Sequence, residues 1–485
     1  MIRWAALLII LCLLTSFQAN ANDQTPAPSP TPQATVNYTV HYGDTLSSIA
    51  LRYHTTMSAI MSLNHITNPQ VVRLGQILHI PVTETGTPTA QPTTPVPSTP
   101  VAPATSEPLS SSAQSVTVTT LEATSGAATT EVPAVTQQPV SPNFDYGVEA
   151  FFEGQDVNAV AKQITDLGMR WTKVRVEWRD MELSKGVIDY TKLDPIIDAL
   201  TASKLNILLT VTDAPDWARS SRLENGPPDD FNDYATFIGA LAGHYAERVR
   251  AYEIWNEPNL RRNWNSTTHA IGADSYSGLL HVAYTAVKAA DPSAAVISAG
   301  LAPTGFDDRI NAEDDRKFLS DLYSLGLASM SDGVGAHPFG FANPPDATCC
   351  AAPTGVTTHY GHPSFYFLDT LNDYHKIMIA NGAGNMKIWV TQFGWGSSAD
   401  TSAPPSSSIY FSYTSLAQQA DYIPRAFELG ANSGFVGVMI LYNLNACSIA
   451  PVNAEACYYS LIAPSGQPRP AYTRLSTVFA TAEPH

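Results

Sequence analysis

The chain has 485 residues, of which 44% are apolar and 14% are charged, a balance that excludes a largely disordered protein and leaves room for two or three domains. Forty-three acidic side chains against 26 basic ones give a formal net charge of -17 at pH 7. This acidic balance argues against nucleic acid or an anionic membrane surface as the main partner, and it fits a neutral ligand such as a polysaccharide.

The N-terminus has the pattern of a secretory signal over residues 1–21. Arg3 provides the single positive charge, an apolar run extends from Ala5 to Leu14, and Ala19-Asn20-Ala21 provides small residues for cleavage. The run is too short for the alternative, a membrane anchor, because a bilayer span needs about 20 apolar residues. We therefore expect a secreted or cell-wall-associated protein without a transmembrane segment, whose mature chain begins near Asn22.

Two stretches have a composition that cannot form a core. Residues 83–142 consist almost entirely of Thr, Pro, Ser, Ala, Val and Gln, and residues 22–36 are similar. Such segments bury too little apolar surface to offset the conformational entropy of the chain. The sequence therefore predicts a short disordered segment at 22–36, a small domain at 37–82, an extended linker at 83–142 and a large domain at 143–485.

The small domain has the pattern of a strand, two helices and a second strand. An extended segment from Tyr38 to Tyr42 precedes a Gly43-Asp44 turn, and Thr45 is placed to cap the first helix. Apolar residues then recur at helical spacing in two stretches, and a final strand runs from Ile77 to Ile80.

This segment closely resembles a LysM module over its full length. The resemblance is carried by YTV at 38–40, GDTLSSIA at 43–50, GQILHIP at 75–81 and the turn at Asn68-Pro69. It implies binding of glycans that contain N-acetylglucosamine, such as peptidoglycan or chitin, in a groove between two loops. Alternatively the side chains of these loops only shape turns and caps, and the loop backbone binds the glycan. The loop residues concerned are Gly43, Asp44, Thr45, Asn68 and Pro69.

The large domain alternates short apolar strands with amphipathic helices. The eight strand-like segments are YGVEAFF, WTKVRVEW, NILLTVTD, YEIWNE, AAVISAG, DGVGAHP, KIWVTQF and FVGVMILYN. Between the first two, Val157, Val160, Ala161 and Ile164 fall on one helical face. Eight strand–helix units in one domain indicate an α/β fold of the (β/α)8 barrel type, in which functional residues lie at the C-terminal ends of the strands.

Polar and aromatic side chains follow the predicted strands at these ends. They are Glu149, Glu177, Asp213, Asn256, Glu257, His337, Gln392, Tyr442 and Asn443. A polar ring with flanking aromatic rings suits a sugar, whose hydroxyl groups need hydrogen-bond partners and whose ring faces stack on aromatic groups. We expect Trp264 and Trp395, in loops, and Tyr442 to contact sugar, whereas Trp255 and Trp389, within strands, are expected in the core.

The strongest catalytic pattern is IWNEPN at 254–259. Here the domain resembles the retaining β-glycosidases of clan A, in particular the xylosidase-like and cellulase-like families, whose fourth strand ends in Asn-Glu-Pro and whose seventh ends in Glu-Phe-Gly. The resemblance covers residues 143 to about 480. It implies that Glu257 is the general acid/base, that Asn256 bonds the 2-hydroxyl group of the sugar and that His337 belongs to the site.

Position 392 departs from that family. The seventh strand ends in Gln392-Phe393-Gly394, so a neutral amide occupies the place of the attacking carboxylate. A retaining enzyme needs two carboxyl groups about 5 Å apart. Loss of the nucleophile can cost on the order of a million-fold in rate, or about 8 kcal/mol. Without a negative charge at 392 we also expect Glu257 to ionise at lower pH than in an intact pair.

Two interpretations keep Gln392 at the centre of the site. In the first, the barrel binds a glycan without cleaving it. In the second, the 2-acetamido group of the substrate attacks the anomeric carbon, and the amide of Gln392 orients that group. The LysM resemblance makes N-acetylated substrates a natural choice for this second route.

A third interpretation assigns Glu177, Asp213 or Glu149 as the base for a water molecule in an inverting reaction. It competes with a structural role, in which these carboxylates pair with basic residues of the second strand. The sequence thus predicts a glycoside hydrolase-like barrel that acts on or binds β-linked glycans, with a catalytically inactive glycan-binding protein as the alternative.

Four cysteines remain once Cys12 leaves with the signal, namely Cys349, Cys350, Cys447 and Cys457. An even number in an oxidising compartment predicts two disulfides, for which three pairings are possible. Links between Cys349 and Cys350 and between Cys447 and Cys457 are favoured because both are local. No CxxC spacing or pair of histidines supports a metal site, and no cofactor is expected.

Overall fold

A computed structural model describes residues 35–40, 46, 49–50, 53, 55–66, 76–81, 144–221 and 225–480 of the chain. The described residues belong to two compact units. Among them, no helix is both long enough and apolar enough to cross a bilayer.

The small unit is built on a two-stranded antiparallel sheet. Strand β1 (Thr35–Thr39) pairs with β2 (Ile77–Pro81), and helix α1 (Met57–Leu63) lies between them in the chain. Alternate residues of β2 face the core, as the alternation of apolar and polar residues predicts. The core of this unit consists of Tyr38, Val40, Leu46, Ile49, Ala50, Ile60, Leu78 and Ile80.

Strand β1 begins before the domain boundary predicted at residue 37. Thr35 pairs with Pro81 and Val36 with Ile80, so two β-branched residues extend the strand into the segment that composition assigns to disorder. The predicted glycan-binding residues lie outside the described part of the chain, namely Gly43, Asp44, Thr45, Asn68 and Pro69.

Asn64 ties helix α1 to strand β2. Its side-chain amide donates to the carbonyl oxygens of Ile60 at 2.8 Å and His79 at 2.7 Å. Its side-chain oxygen accepts from the backbone N–H of His79 at 2.7 Å. One side chain therefore satisfies a carbonyl group at the end of the helix and both backbone groups of a strand residue.

The large unit is a closed barrel of eight parallel strands, in which each strand pairs with the next one in the chain and the last pairs with the first. Each strand coincides with one of the eight predicted segments, so the predicted (β/α)8 fold is confirmed. The strands are β3 (Asp145–Glu149), β4 (Trp171–Glu177), β5 (Asn206–Thr212), β6 (Ala251–Ile254), β7 (Ala295–Ser298), β8 (Gly333–Ala336), β9 (Lys387–Phe393) and β10 (Val436–Leu441).

Helices lie in the connections between these strands and after the last strand. The α-helices are α2 (Val157–Asp166), α3 (Trp178–Met181), α4 (Asp194–Ala202), α5 (Phe231–His244), α6 (Ala273–Ala290), α7 (Asp315–Ser324), α8 (Phe367–Ala380), α9 (Leu416–Ser433), α10 (Glu455–Tyr459) and α11 (Pro470–Ala480). Short 3-10 helices cover Asp216–Ala218, Leu327–Ser329, Pro363–Phe365, Ser406–Ser412 and Ala446–Ser448.

Helix α2 shows how local sequence sets these elements. The Asp156 side chain caps its N-terminus by accepting from the backbone N–H of Asn158 at 2.9 Å. Val160 and Ile164 are buried on one face. Gly168 follows the helix with a φ of +76°, a conformation in which an L side chain is strained.

The interior of the barrel changes from apolar to polar along its axis. An apolar cluster is formed by Trp171, Leu208, Ala251, Ile297, Val438 and Ile440. Trp171 also packs edge-to-face against Trp389, with ring centroids 5.2 Å apart. Further along the strands the interior side chains become Lys173, Thr210, Glu253 and Thr391, all buried. The polar groups of the barrel therefore concentrate toward the C-terminal ends of the strands.

Both favoured disulfides are present in the structure. Cys447 is linked to Cys457, which joins the 3-10 helix Ala446–Ser448 to helix α10. Cys349 is linked to Cys350 in the long loop between β8 and α8. The first of these links fixes the loop that follows the last barrel strand.

We predict that Asn64→Ala destabilises the small unit by about 1–2 kcal/mol, because it removes hydrogen bonds that are only partly shielded from solvent. The measurement is amide hydrogen exchange of β1 and β2 in the full-length protein. Ser62→Ala, an exposed change on the same helix, is the control. Equal protection of β2 in both variants would contradict the role given to Asn64.

Candidate active site

The predicted catalytic residue Glu257 lies in a tight turn immediately after β6. Trp255 and Glu257 both have positive φ, at 74° and 45°, a conformation uncommon for residues other than glycine. Asn259 holds the turn by exchanging two hydrogen bonds of 2.9 Å with the backbone of Ala302. The sequence NEPN thus forms a turn that directs the Glu257 side chain toward His337. Both side chains lie at the opening at the C-terminal end of the barrel, here called the mouth.

Three side chains hydrogen-bond the carboxylate of Glu257. Arg262 approaches Oε2 at 2.9 Å and Asn263 donates to the same oxygen at 3.1 Å. A ring nitrogen of His337 lies 3.2 Å from Oε1. The Glu257 carboxyl group is therefore surrounded by donors, and its side chain is 8% exposed.

These partners determine the charge of Glu257. Burial alone raises the pKa of its carboxyl group, but the Arg262 guanidinium and then His337 outweigh burial and hold that pKa below its ordinary value. A carboxyl group with a lowered pKa is ionised at neutral pH and has no proton to donate. Glu257 is therefore in the wrong state for a general acid in this arrangement.

His337 is fully buried beneath Glu257. Its Nδ1 faces Glu257, and its Nε2 lies 3.8 Å from Glu253 Oε1 without a hydrogen bond. The ring fits because residue 300 is glycine, since a Cβ there would lie 2.2 Å from the imidazole. His337 thus connects the mouth to the polar interior of the barrel.

Gln392 lies at the end of β9, the place of the attacking carboxylate in the resembled family. Its amide nitrogen donates to Glu149 Oε2 at 2.8 Å. Gln392 is 7% exposed and Glu149 is 1% exposed. A carboxylate is therefore present beside position 392, but it is buried behind the amide.

Lys173 provides the countercharge for this part of the interior. Its ammonium lies 3.0 Å from Glu253 Oε2 and 3.6 Å from Glu149 Oε2, and it donates to the carbonyl oxygen of Thr391 at 3.3 Å. Glu253 also accepts from the hydroxyl group of Thr210 at 2.5 Å. The buried chain Gln392, Glu149, Lys173, Glu253, His337 and Glu257 is thus continuous through contacts of 3.8 Å or less.

Asn256 presents an unpaired amide at the mouth. Its Oδ1 is buried without a hydrogen bond, and its Nδ2 bonds to none of the described residues. Buried polar groups in proteins are normally satisfied, so an unpaired amide beside Glu257 indicates a place for ligand or water. This is the position for which the sequence predicts a sugar contact.

Glu177 and Asp213 each form an ion pair with an arginine. Arg179 Nε donates to Glu177 at 3.0 Å. Arg175 donates to Asp213 at 3.1 Å, and the Thr212 hydroxyl group donates to the same carboxylate at 2.8 Å. This is the structural role that competed with their assignment as a catalytic base.

Trp264 and Trp395 do not line the mouth, contrary to the sequence prediction that they contact sugar. They are 1% and 0% exposed. The Trp264 indole packs against Trp255 and donates to the carbonyl oxygen of Ala270 at 3.2 Å. The Trp395 indole donates to the carbonyl oxygen of Asn343 at 2.8 Å. Both loops fold inward, so their indoles join the core.

A different set of aromatic rings packs together beside His337, and three of its members are partly exposed, namely Phe341, His359 and Tyr442. This aromatic wall consists of Phe339, Phe341, His359, Tyr410, Tyr442 and Tyr459. Phe341 stacks on His359 with ring centroids 4.4 Å apart, and burial lowers the pKa of His359 to about 4, which leaves it neutral at pH 7. Tyr442, the predicted contact that does belong to the wall, is partly exposed.

Two charged residues of the mouth were not identified from the sequence. Arg262 lies in the loop after β6, and Glu455 begins helix α10 after β10. Glu455 is an exposed residue, but the protein packed around its carboxyl group removes part of the hydration and raises the pKa of that group. Arg262 opposes this effect on the pKa and Glu257 adds to it. Nothing in their local sequence distinguishes them from surface charges.

The described residues include no group of three or more His, Cys, Asp or Glu side chains that could hold a metal ion.

Comparison with known proteins identifies residues 38–81 as a LysM domain. A stretch of 132 residues is 28% identical to a β-xylosidase of Geobacillus stearothermophilus and covers 24% of this chain. The match spans only a quarter, 25%, of the length of that relative.

Solved structures share the barrel. A family 39 glycoside hydrolase of Bacteroides cellulosilyticus WH2 matches with a TM-score of 0.54 and 20% identity, over 70% of this chain and 63% of that one. A family 39 β-xylosidase of Caulobacter crescentus matches with a TM-score of 0.50 and 20% identity, over 70% and 72% of the two chains. The large unit therefore has a glycoside hydrolase fold.

We predict that Arg262→Met raises the pKa of Glu257, because it removes the cation that favours the ionised form. A lowered pKa stabilises the folded state above the ordinary glutamate value of about 4.3, and this stability is lost as the pH falls through the folded-state pKa. The variant should therefore lose at most about 1 kcal/mol at pH 7, since Arg262 is largely exposed, and less in acid.

Carbon-13 NMR titration of the glutamate carboxyl groups measures this pKa directly. A spectrum of Glu257→Gln assigns the resonance, and Arg261→Met is the neighbouring control. An unchanged titration of Glu257 in Arg262→Met would contradict the assignment of Arg262 as the main stabilising cation.

Proposed function

We propose that the protein is a secreted glycan-binding protein of a cell wall or chitin surface, in which the barrel mouth holds a β-linked glycan without cleaving it by the retaining route. The observation that carries this proposal is the ion pair between Glu257 and Arg262 opposite an amide at 392. Arg262 and His337 lower the pKa of the Glu257 carboxyl group against the effect of burial, and position 392 carries an amide in place of a carboxylate.

The loss of catalytic groups favours binding over retaining hydrolysis. Loss of the nucleophile alone can cost about 8 kcal/mol of transition-state stabilisation. Ionised Glu257 would cause a further loss of transition-state stabilisation, because the leaving oxygen would depart without a proton. Hydrogen bonds from Gln392 are worth about 1 kcal/mol each and cannot offset these losses.

The features needed to hold a sugar are all at the mouth. Asn256 offers an unpaired amide, Gln392 offers a carbonyl oxygen, and the aromatic wall offers partly exposed ring faces at Phe341 and Tyr442. Aromatic rings stack on the apolar faces of sugars, and a few polar groups fix orientation. The LysM domain at 38–81 supports a glycan-rich surface as the setting.

Substrate-assisted hydrolysis is a second candidate. It is favoured by one observation, namely that Gln392 Oε1 accepts no hydrogen bond from any residue the structure describes and so could orient a 2-acetamido group. It also requires a bound sugar to displace Arg262 and let Glu257 take up a proton.

We predict that the full-length protein binds oligosaccharides from at least one of chitin, peptidoglycan, xylan or glucan and releases no new reducing ends. Calorimetric titration and product analysis test this, with Tyr442→Ala to identify the share of binding that belongs to the barrel. Cleavage of only N-acetylated oligosaccharides, lost in Glu257→Gln, would replace the proposal with substrate assistance. Binding unaffected by Tyr442→Ala would contradict a glycan site at the mouth.

We also predict that Gln392→Glu alone does not create a nucleophile. It would place a carboxylate about 3 Å from Glu149, so the two groups would share one proton. The double exchange Glu149→Gln with Gln392→Glu keeps the hydrogen bond and the net charge, and it presents an ionised carboxylate at 392.

Dinitrophenyl 2-deoxy-2-fluoro-β-xyloside and -glucoside are suitable probes for this prediction. A carboxylate oxygen at 392 bonds to the anomeric carbon while the bond to the aryl oxygen breaks, and dinitrophenolate leaves with the electron pair, so no proton from Glu257 is needed. Intact-mass measurement should detect the glycosyl-protein adduct in the double variant. Equal labelling of Gln392→Glu would show that Glu149 does not constrain position 392.

A further inference from the structure

We propose that the barrel mouth selects glycans that carry a 2-acetamido group, with the carbonyl oxygen of Gln392 accepting the N–H of that group and Glu149 acting as the positioning residue. This inference rests on the proposed function, because it names the class of glycan that the mouth would bind. It concerns recognition and holds whether or not the glycan is cleaved.

The contact with Glu149 fixes which way the Gln392 amide faces. A carboxylate in an ion pair can only accept hydrogen bonds, and Lys173 lies 3.6 Å from the same Glu149 oxygen that contacts Gln392. The Gln392 atom 2.8 Å from that oxygen must therefore be the amide nitrogen. Both Glu149 and Lys173 are 1% exposed, so water cannot readily replace either partner.

The other end of the amide is left for a ligand. Gln392 Oε1 accepts no hydrogen bond from the described part of the chain, and it is not among the atoms buried from solvent. An amide oxygen is an acceptor only. The mouth therefore presents a fixed, neutral acceptor at the end of β9.

Asn256 supplies the complementary group. Its Oδ1 is buried, while its Nδ2 has no partner among the described residues and keeps contact with solvent. The mouth thus offers a free acceptor on Gln392 and, on Asn256, a solvent-contacting donor beside a buried oxygen that also has no partner, all on uncharged groups. A secondary amide, which has one N–H and one C=O, matches this pair.

The absence of charge at 392 strengthens this selection. A carboxylate there would repel the carbonyl oxygen of an acetamido group and would favour a 2-hydroxyl group through a charge-assisted hydrogen bond. Gln392 removes both effects. Specificity is a difference of affinities, so loss of an interaction with hydroxyl-bearing sugars counts as much as a gain with acetamido sugars.

Calorimetric titration of the full-length protein with N,N′-diacetylchitobiose and cellobiose tests the proposal, since these disaccharides share their linkage and differ at C2. The barrel component is the share of binding that Tyr442→Ala removes, and the LysM domain contributes equally in every variant. We expect this component to be at least about tenfold tighter for the acetamido sugar, as one well-placed hydrogen bond allows.

Two variants locate the selectivity. Gln392→Met, which keeps the length of the side chain, should lower the barrel affinity for diacetylchitobiose by about tenfold and change that for cellobiose by less than about threefold. Glu149→Gln should reduce the ratio of the two affinities, because the Gln392 amide can then face either way. Thermal unfolding of each variant verifies that the barrel is folded.

The outcomes separate the two proposals. Barrel binding of equal affinity for both sugars, or an equal loss for both in Gln392→Met, would overturn acetamido selection and leave the glycan site intact. An absence of any component removed by Tyr442→Ala would overturn the glycan site itself and the inference with it. An unchanged affinity ratio in Glu149→Gln would remove Glu149 as the positioning residue.

Discussion

The buried ammonium of Lys173 is the interaction on which the arrangement of the site depends. It lies between Glu149 and Glu253 with almost no access to water. Removal of one member of a buried ion pair typically costs about 3–5 kcal/mol, because a charge remains without a partner. Glu149 contacts the residue at 392 and Glu253 approaches the histidine that contacts Glu257. One cation therefore pairs with both the carboxylate that contacts Gln392 and the carboxylate nearest to His337.

Gln392 affects the charge balance around Lys173 as well as removing the attacking carboxylate. With only one ammonium in the buried chain, a third carboxylate beside Glu149 would be left unbalanced. The amide gives Glu149 a neutral donor and adds no further negative charge to the two carboxylates that already share Lys173. Glu257 is balanced separately by Arg262, from a loop on the other side of the mouth. At each of the two positions where a retaining glycosidase carries out its chemistry, the side chain is thus held by a neighbouring partner, Glu149 for Gln392 and Arg262 for Glu257.

The sequence was sufficient to predict the architecture, but it predicted only part of the candidate site. The eight strands and the small domain follow from apolar periodicity, which is a local property, and Glu257, His337 and Gln392 follow from a motif and from strand ends. Trp264 and Trp395 were misassigned, because a loop does not reveal whether its side chains face solvent or the core. The contact between Glu149 and Gln392 joins residues 243 positions apart, so it exists only once the barrel has closed. Arg262 could not be recognised as a site residue for the same reason, because only the folded loop brings it into contact with Glu257.

The link between Cys447 and Cys457 has a consequence for where the protein can work. It closes the loop that carries Glu455 and leads into Tyr459, so one side of the mouth is held in shape before any ligand arrives. A rigid rim loses little freedom when a sugar docks, which improves affinity without any added contact. Thiol-reducing surroundings would release that rim and raise the ordering cost of binding. Glycan binding at the proposed site would in that sense depend on the redox state of the environment.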